Sequence, residues 1–332
     1  MSLHPAVAAI RGAVRRALAD PDPARAVEPG DAVLVACSGG PDSLALLSAA
    51  VFEGHKLGAR VIGVTVDHGL QEGSADHTAH VVSQMAAMGA DETASVTVRV
   101  DSGGRGIEAA AREARYAVLD EMATHFGATA VLLGHTLDDQ AETVLLGLAR
   151  GSGGRSLAGM RPAFDRYRRP LLEVPRMDTV TACQVEGIEY WNDPHNVDPA
   201  FARTRVRKKV LPVLEDELGP GVAAALARTA DQLREDSDLL DELAAKAYDS
   251  AREGGGVLVT RLADRPRAIV TRVLRQAALD AGAPPSELFR VHVTAMLPLV
   301  LAGHPGEVQL PGHVTAFRAG DHLRFRRTAV QG

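Results

Sequence analysis

The chain has 332 residues, 46% hydrophobic and 23% charged, with a formal net charge of −6. That is globular composition with room for two domains, and the acidic balance argues against a protein that coats nucleic acid over its whole surface. Two cysteines without paired spacing, Cys37 and Cys183, argue against a disulfide framework, a zinc site or an iron–sulfur site.

No apolar run reaches eighteen residues, and residues 1–20 read as an amphipathic helix rather than a signal peptide. A cytoplasmic protein with no membrane contact is the expectation. Val7, Ile10, Val14 and Leu18 repeat at helical spacing over residues 3–19. Pro21 and Pro23 stop that helix. Apolar runs at 32–36, 60–67, 94–100 and 129–133 predict buried strands, each followed by a helix, at 42–54, 74–89, 107–126 (ahead of the fourth strand) and 138–148. Alternation with short connections predicts an α/β fold, a parallel sheet covered on both faces. Beyond Arg150 the pattern loosens. A short strand is expected at 170–175, a helix at 176–187 and a basic run at 203–209. An Ala/Leu-rich helix is expected at 220–252, a break at Gly254-Gly255-Gly256, helices near 264–281 and 286–302, and a small hairpin at 307–326. The division falls near 215: a catalytic domain over 1–215, and a smaller, mainly helical domain over 216–332.

Ligands of such sheets bind at the carboxyl ends of strands. Three polar segments sit there, so they should converge. The first is Ser38-Gly39-Gly40-Pro41-Asp42-Ser43, a Gly-rich turn between a strand and a helix. Hydroxyls, glycine N–H groups and a helix N-terminus are donors suited to a polyanion. No Lys follows the glycines, so it is not a Walker loop. The second segment, Asp67-His68-Gly69-Leu70, is by itself only a turn, but beside the first it is a candidate for holding a nucleotide. The third is His135-Thr136-Leu137-Asp138-Asp139-Gln140-Ala141-Glu142-Thr143. Asp138 and Asp139 could merely cap a helix. Yet His135, Asp139 and Glu142 are spaced four and three, so they share one face. They suit binding an ammonium, taking a proton from an amine, or coordinating Mg²⁺.

The Glu108–Tyr116 stretch of the third helix allows two readings. Glu108, Arg112 and Tyr116 are four apart, as in an ordinary helix with ion pairs; alternatively Arg112 or Arg115 contacts an anion at the cleft. The basic clusters at 155–169 and 203–209 are either solvated faces or phosphate contacts.

The first loop resembles the pyrophosphate loop of the N-type ATP pyrophosphatases, Ser-Gly-Gly-x-Asp-Ser. The whole set, with Arg150-Gly151-Ser152-Gly153 and residues 193–207, resembles the tRNA(Ile)-lysidine synthases over about residues 30–215. The resemblance implies an adenine nucleotide α-hydrolase-like catalytic domain and a tRNA-binding C-terminal domain. It implies a ligase that forms a C–N bond. ATP would adenylate the C2 oxygen of the wobble cytidine of tRNA(Ile) with a CAU anticodon, releasing diphosphate. The ε-amine of free lysine would then attack C2, and AMP would leave. The lysidine formed switches the tRNA from Met to Ile.

Under that resemblance Ser38, Gly39, Gly40, Pro41, Asp42, Ser43, Asp67 and His68 bind ATP. Asp139 is the base and Glu142 holds the lysine, with His135 and Asp42 also catalytic. Asp42 and Asp138 are the Mg²⁺ candidates. Arg112, Arg115, Arg150, Ser152, Arg203, Arg205 and Arg207 face tRNA or substrate. A homodimer is left open. The runner-up is a tRNA base thiolase of the same fold, which needs reactive or cluster-binding cysteines. Cys37 and Cys183 both read as packing residues.

Overall fold

The computed structural model describes residues 3–22, 25–67, 73–98, 107–151, 153–191 and 199–328, without the side chains of 107–111. Two compact units are resolved, one of residues 1–151 with 156–230 and one of 152–155 with 231–332. The divide falls inside a continuous helix, whereas the sequence reading puts it near 215.

The first unit opens on α1 (Pro5–Leu18), whose Val7, Ile10, Val14 and Leu18 are buried as the periodicity requires. Then β1 (Ala32–Ala36), α2 (Pro41–Leu57), β2 (Arg60–Asp67), α3 (Ser74–Ala87), β3 (Glu92–Thr97), α4 (Ile107–His125), β4 (Ala128–Leu132) and α5 (Leu137–Ala149) alternate in order. The strand expected at 94–100 begins two residues earlier, at Glu92, and its last two positions lie outside the described residues. After α5 come α6 (Gly154–Leu157), which straddles the residues assigned to the two units, and the two-residue strands β5 (Ala163–Phe164) and β6 (Tyr167–Arg168). Next are α7 (Arg176–Glu186), α8 (Ala202–Arg205), a π-helical turn at Val206–Val210, α9 (Leu211–Leu218) and α10 (Val222–Ala251).

The expected strand at 170–175 is a 3-10 turn, Pro170–Glu173. Pro170 lacks the ladder N–H, and Leu171 and Leu172 are buried instead of alternating. Sheet pairing is made just before it, by β5 and β6, through a tight turn with Asp165 at φ +47°.

The six strands run in the order β3-β2-β1-β4-β6-β5, parallel except for β5. The chain builds outward from β1 to β3, and α4 then returns it to the other side of β1. Strand order therefore reverses between β1 and β4, and the crevice at such a switch point is where these sheets bind ligands. Leu34, Val33, Ile62, Val64, Val131 and Leu132 are wholly buried, because helices cover both faces.

The second unit contains the distal part of α10, β7 (Arg252–Glu253), β8 (Gly256–Leu258), α11 (Arg267–Asp280) and α12 (Arg290–Leu301). Its tail is β9 (Glu307–Leu310), β10 (Val314–Ala319) and β11 (His322–Arg327). The expected hairpin is thus part of a five-stranded antiparallel sheet, β7-β8-β11-β10-β9. The glycine triplet turns β7 back onto β8, with Gly254 and Gly255 both at positive φ. Leu262, Val270, Val273, Leu274 and Met296 fill its core.

Candidate active site

The Gly-rich loop lies between β1 and α2. Gly39 sits at φ +80°, and a Cβ there would stand 2.7 Å from Val81 Cγ2 and 3.0 Å from His77 Cε1. Only glycine fits both the backbone conformation and the space. Gly40 is the N-cap of α2, and no side-chain cap bond closes this helix start. Ser43 closes the loop: its Oγ donates to the Gly40 carbonyl at 2.9 Å and accepts the Ser38 N–H at 3.1 Å. Ser38 Oγ lies 3.4 Å from Ser43 Oγ. Trp191 steadies the turn from outside. Its backbone N–H donates to the Gly39 carbonyl at 3.0 Å, and its ring centre lies 3.9 Å from that of His77.

The exit of β4 meets this loop directly. A Cβ on Gly134 would be 3.1 Å from the Asp42 carbonyl oxygen and 3.2 Å from the Ser43 nitrogen. That approach brings the segment at 135–143 against the start of α2, as the strand-end argument requires. Asp42 accepts a hydrogen bond from Thr179 Oγ1 and lies 3.5 Å from Arg176 Nη1. Burial nevertheless raises its pKa, and the Arg176 charge offsets only part of that. Asp138 accepts the Arg176 backbone N–H at 2.8 Å, which ties α5 to the first turn of α7. Asp42 and Asp138 thus both meet Arg176, one at its guanidinium and the other at its backbone N–H.

Asp139 and Glu142 are held by arginines. Asp139 Oδ2 accepts the Thr136 N–H at 2.9 Å and the Thr136 hydroxyl at 3.1 Å, and Oδ1 accepts Arg207 Nη2 at 2.9 Å. Glu142 is wholly buried; its Oε2 accepts Arg203 Nε at 2.8 Å and its Oε1 accepts Arg207 Nε at 2.5 Å. Burial would raise the Asp139 pKa, but Arg203, His135, the Thr136 N–H and Arg207 together hold it below its ordinary value. His135 is pushed down, chiefly by burial, and is neutral at physiological pH. Its Nδ1 is buried with no hydrogen-bond partner among the described residues.

The basic run is therefore not one solvated face. Arg203 and Arg207 are one turn apart and both turn inward, the second from the π-helical turn, a distortion frequent at functional sites. Arg205 is exposed and donates to the Pro199 and Ala200 carbonyls, and Lys208 and Lys209 are exposed. In the other cluster Arg168 and Arg169 are buried, not open to a polyanion.

Of the remaining expected residues, Asp67 is buried and accepts a bond from Ser74 Oγ at 3.3 Å. Arg112 and Arg150 are exposed and Arg115 is half-buried. His68, Ser152 and residues 193–198 lie outside the described residues, as does the Glu108 side chain. Sequence reasoning missed Thr179 and Arg176, which are polar positions without a motif of their own. Thr136 had a readable signal, since a Thr three residues before an acid at a helix start is a capping pattern.

Cys37 and Cys183 are both buried, and burial pushes each thiol up to about 12. Among the described residues no three of His, Cys, Asp and Glu group as a metal cage, and no helix is long and apolar enough to cross a membrane.

A family model described as a PP-loop domain matches residues 14–214. A tRNA(Ile)-lysidine synthase of Streptomyces coelicolor is 49% identical, covering 98% of this chain and 100% of the relative. One of Thermobifida fusca is 53% identical over 93% of this chain and 94% of the relative. Among solved structures, the U34-tRNA thiolase NcsA of Methanococcus maripaludis, with its 4Fe–4S cluster, matches with a TM-score of 0.58. It is 18% identical and covers 69% of this chain and 80% of that one. At that identity the likeness is one of fold.

Proposed function

The chain belongs to the tRNA(Ile)-lysidine synthase family of PP-loop proteins, and from that premise we propose how its site makes lysidine. The substrates are ATP, free lysine and a tRNA(Ile) with a CAU anticodon. In the first step the cytidine C2 oxygen bonds to the α-phosphorus of ATP, the bond to the bridging oxygen breaks, and diphosphate leaves. In the second the lysine ε-nitrogen bonds to C2, the C2–O bond breaks, and AMP leaves with that oxygen. Adenylation is what turns a poor leaving oxygen into a good one.

The observation that carries this reading is the juxtaposition of the loop at 38–43 with the carboxylates of α5 across the β1/β4 crevice. The N–H groups of α2 and the glycine turn receive the departing diphosphate. Asp42 and Asp138 would hold Mg²⁺. One carboxylate at the start of α2 and one at the start of α5 fit an ion bound chiefly through nucleotide phosphates, which it would neutralise. Asp139 takes the proton of the attacking ammonium, and Glu142 supplies the negative field that holds the lysine side chain. Arg203 and Arg207 occupy these carboxylates in the structure. Lysine entry therefore requires Arg207 to give up at least its bond to Asp139. Arg205, Lys208 and Lys209 remain outward for RNA phosphates, and the second unit binds the rest of the tRNA. Two buried thiols do not suit the sulfur chemistry of a thiolase.

The test is incubation of the protein with ATP, radiolabelled lysine and a CAU isoleucine tRNA transcript. Acid-precipitable label that depends on ATP supports the proposal. No label with lysine, and tRNA thiolation with a sulfur donor, refutes it.

A further inference from the structure

One face of α3 lies behind the Gly-rich loop. His77, Val81 and Gln84 are spaced four and three, so they share that face. Val81 is the side chain that a Cβ on Gly39 would meet at 2.7 Å. His77 Nε2 lies 3.4 Å from the Ser38 carbonyl oxygen, and its ring centre lies 3.9 Å from that of Trp191. Gln84 Nε2 donates to the Glu189 carbonyl. The strap from α7 to Trp191 is thus laid along α3, and it is anchored at both ends. Glu186, the last residue of α7, accepts Ser48 Oγ of α2 at 2.6 Å and Arg11 Nη2 of α1 at 2.8 Å. Gly187 turns the chain out of α7 at φ +68°, and the Ile188 N–H donates to the Cys183 carbonyl at 2.8 Å. At the far end the Trp191 backbone N–H donates to the Gly39 carbonyl.

Both contacts with the loop are made to carbonyls, and that fixes where the matching N–H groups point. No peptide bond among the described residues is cis. In a trans peptide the C=O of one residue and the N–H of the next point in opposite directions. Holding the Gly39 carbonyl from the strap therefore turns the Gly40 N–H away from it. A His77 ring with its proton on Nε2 donates to the Ser38 carbonyl and does the same for the Gly39 N–H. Two successive N–H groups aimed to one side make an anion-binding concavity. Glycine permits this arrangement but does not enforce it, because it adopts many others as readily. The enforcement comes from α3 and the strap.

We propose that His77 and Trp191 are positioning residues which together aim the Gly39 and Gly40 N–H groups at the departing diphosphate. Both act through main-chain carbonyls of the loop and not by touching phosphate. The inference rests on the lysidine-forming reading and adds to it two residues outside the loop, on α3 and on the strap.

The experiment is calorimetric titration of the full chain with magnesium diphosphate and, separately, with AMP, which lacks the departing group. The proteins are wild type, His77→Leu, His77→Gln and Trp191→Ala. Trp191→Ala keeps the main-chain donor but loses the ring that seats it against His77. His77→Leu and Trp191→Ala should each weaken diphosphate about tenfold and leave AMP within about twofold. His77→Gln keeps an N–H donor and should recover most of the loss. Unchanged diphosphate affinity in either His77→Leu or Trp191→Ala overturns the proposal, as does a wild type that binds no diphosphate. So does an equal loss of AMP, which marks general damage to the site, or a His77→Gln variant as weak as His77→Leu. If the truncated variants do not fold, wild type decides by itself, because Trp191 is the one tryptophan of the chain. Saturating diphosphate should change its emission and AMP should not; emission that stays constant with diphosphate bound, or that AMP changes equally, overturns the proposal. Neither probe requires lysidine to form, so a failed lysidine assay and a failed titration are separate results.

Discussion

Arg207 donates from Nε to Oε1 of Glu142 at 2.5 Å, across 65 residues of sequence, and Glu142 has no exposed surface. A carboxylate in that position is affordable only while its arginines remain. Arg207→Ala leaves Glu142 and Asp139 with Arg203 as their main counter-charge. Breaking one side of a buried ion pair costs about 3–5 kcal/mol, and urea denaturation should show a loss of that order. Arg205→Ala, two residues earlier and exposed, should stay within about 0.5 kcal/mol of wild type.

That contrast marks where the sequence stopped being legible. The four parallel strands and their helices could be read because apolar runs end in glycine or polar turns, as at Val35 and Val66. The loop at 38–43 could be read because its residue types serve one purpose. Arg203 and Arg207 could not, since a basic run looks the same whether it faces water or a carboxylate on another element. The strands β5 and β6 are two residues each, too short for any period to register. The sheet of the second unit was partly visible as a hairpin, but β7 and β8 flank a glycine triplet that reads as a break.

Gly39 gives a second prediction. At φ +80° a side chain costs about 1–2 kcal/mol, and the Cβ of Gly39→Ala would overlap Val81. The variant should be less stable by at least that amount and should lose ATP-dependent lysine incorporation. Gly30→Ala is the control. It has a similar φ of +92° and nothing within 4 Å of the added carbon, so it should be destabilised alone and keep its activity.

The buried histidine predicts a pH dependence. The pKa of His135 is depressed by burial to about 3 in the folded chain, against about 6.5 when unfolded. Between those values the unfolded state binds the proton and the folded state refuses it. Stability is therefore fully present above about 6.5 and falls as pH drops below it, by up to about 1.4 kcal/mol per pH unit. Asp139, whose folded pKa is lowered, adds its own loss only below its unfolded value of about 3.9. Thermal unfolding of wild type against His135→Gln from pH 7 to pH 4 should show the slope reduced in the variant.

Cys37 and Cys183 separate amine chemistry from sulfur chemistry. With both thiols pushed up to about 12 by burial, neither should react with iodoacetamide at pH 8 in the folded protein, and both should react in urea. The double variant Cys37→Ala, Cys183→Ala should retain lysine incorporation, although the lost packing lowers its melting temperature. A sulfur-transferring enzyme that used these thiols would lose its activity.

The most direct measurement is the mass of the wobble nucleoside after reaction. A CAU isoleucine tRNA is incubated with the protein, ATP and lysine, digested to nucleosides and analysed by mass spectrometry. The account predicts a cytidine heavier by one lysine less one water, formed only with ATP and lost in Asp139→Asn. An unmodified cytidine, or a base carrying sulfur when a sulfur donor is supplied, would contradict it.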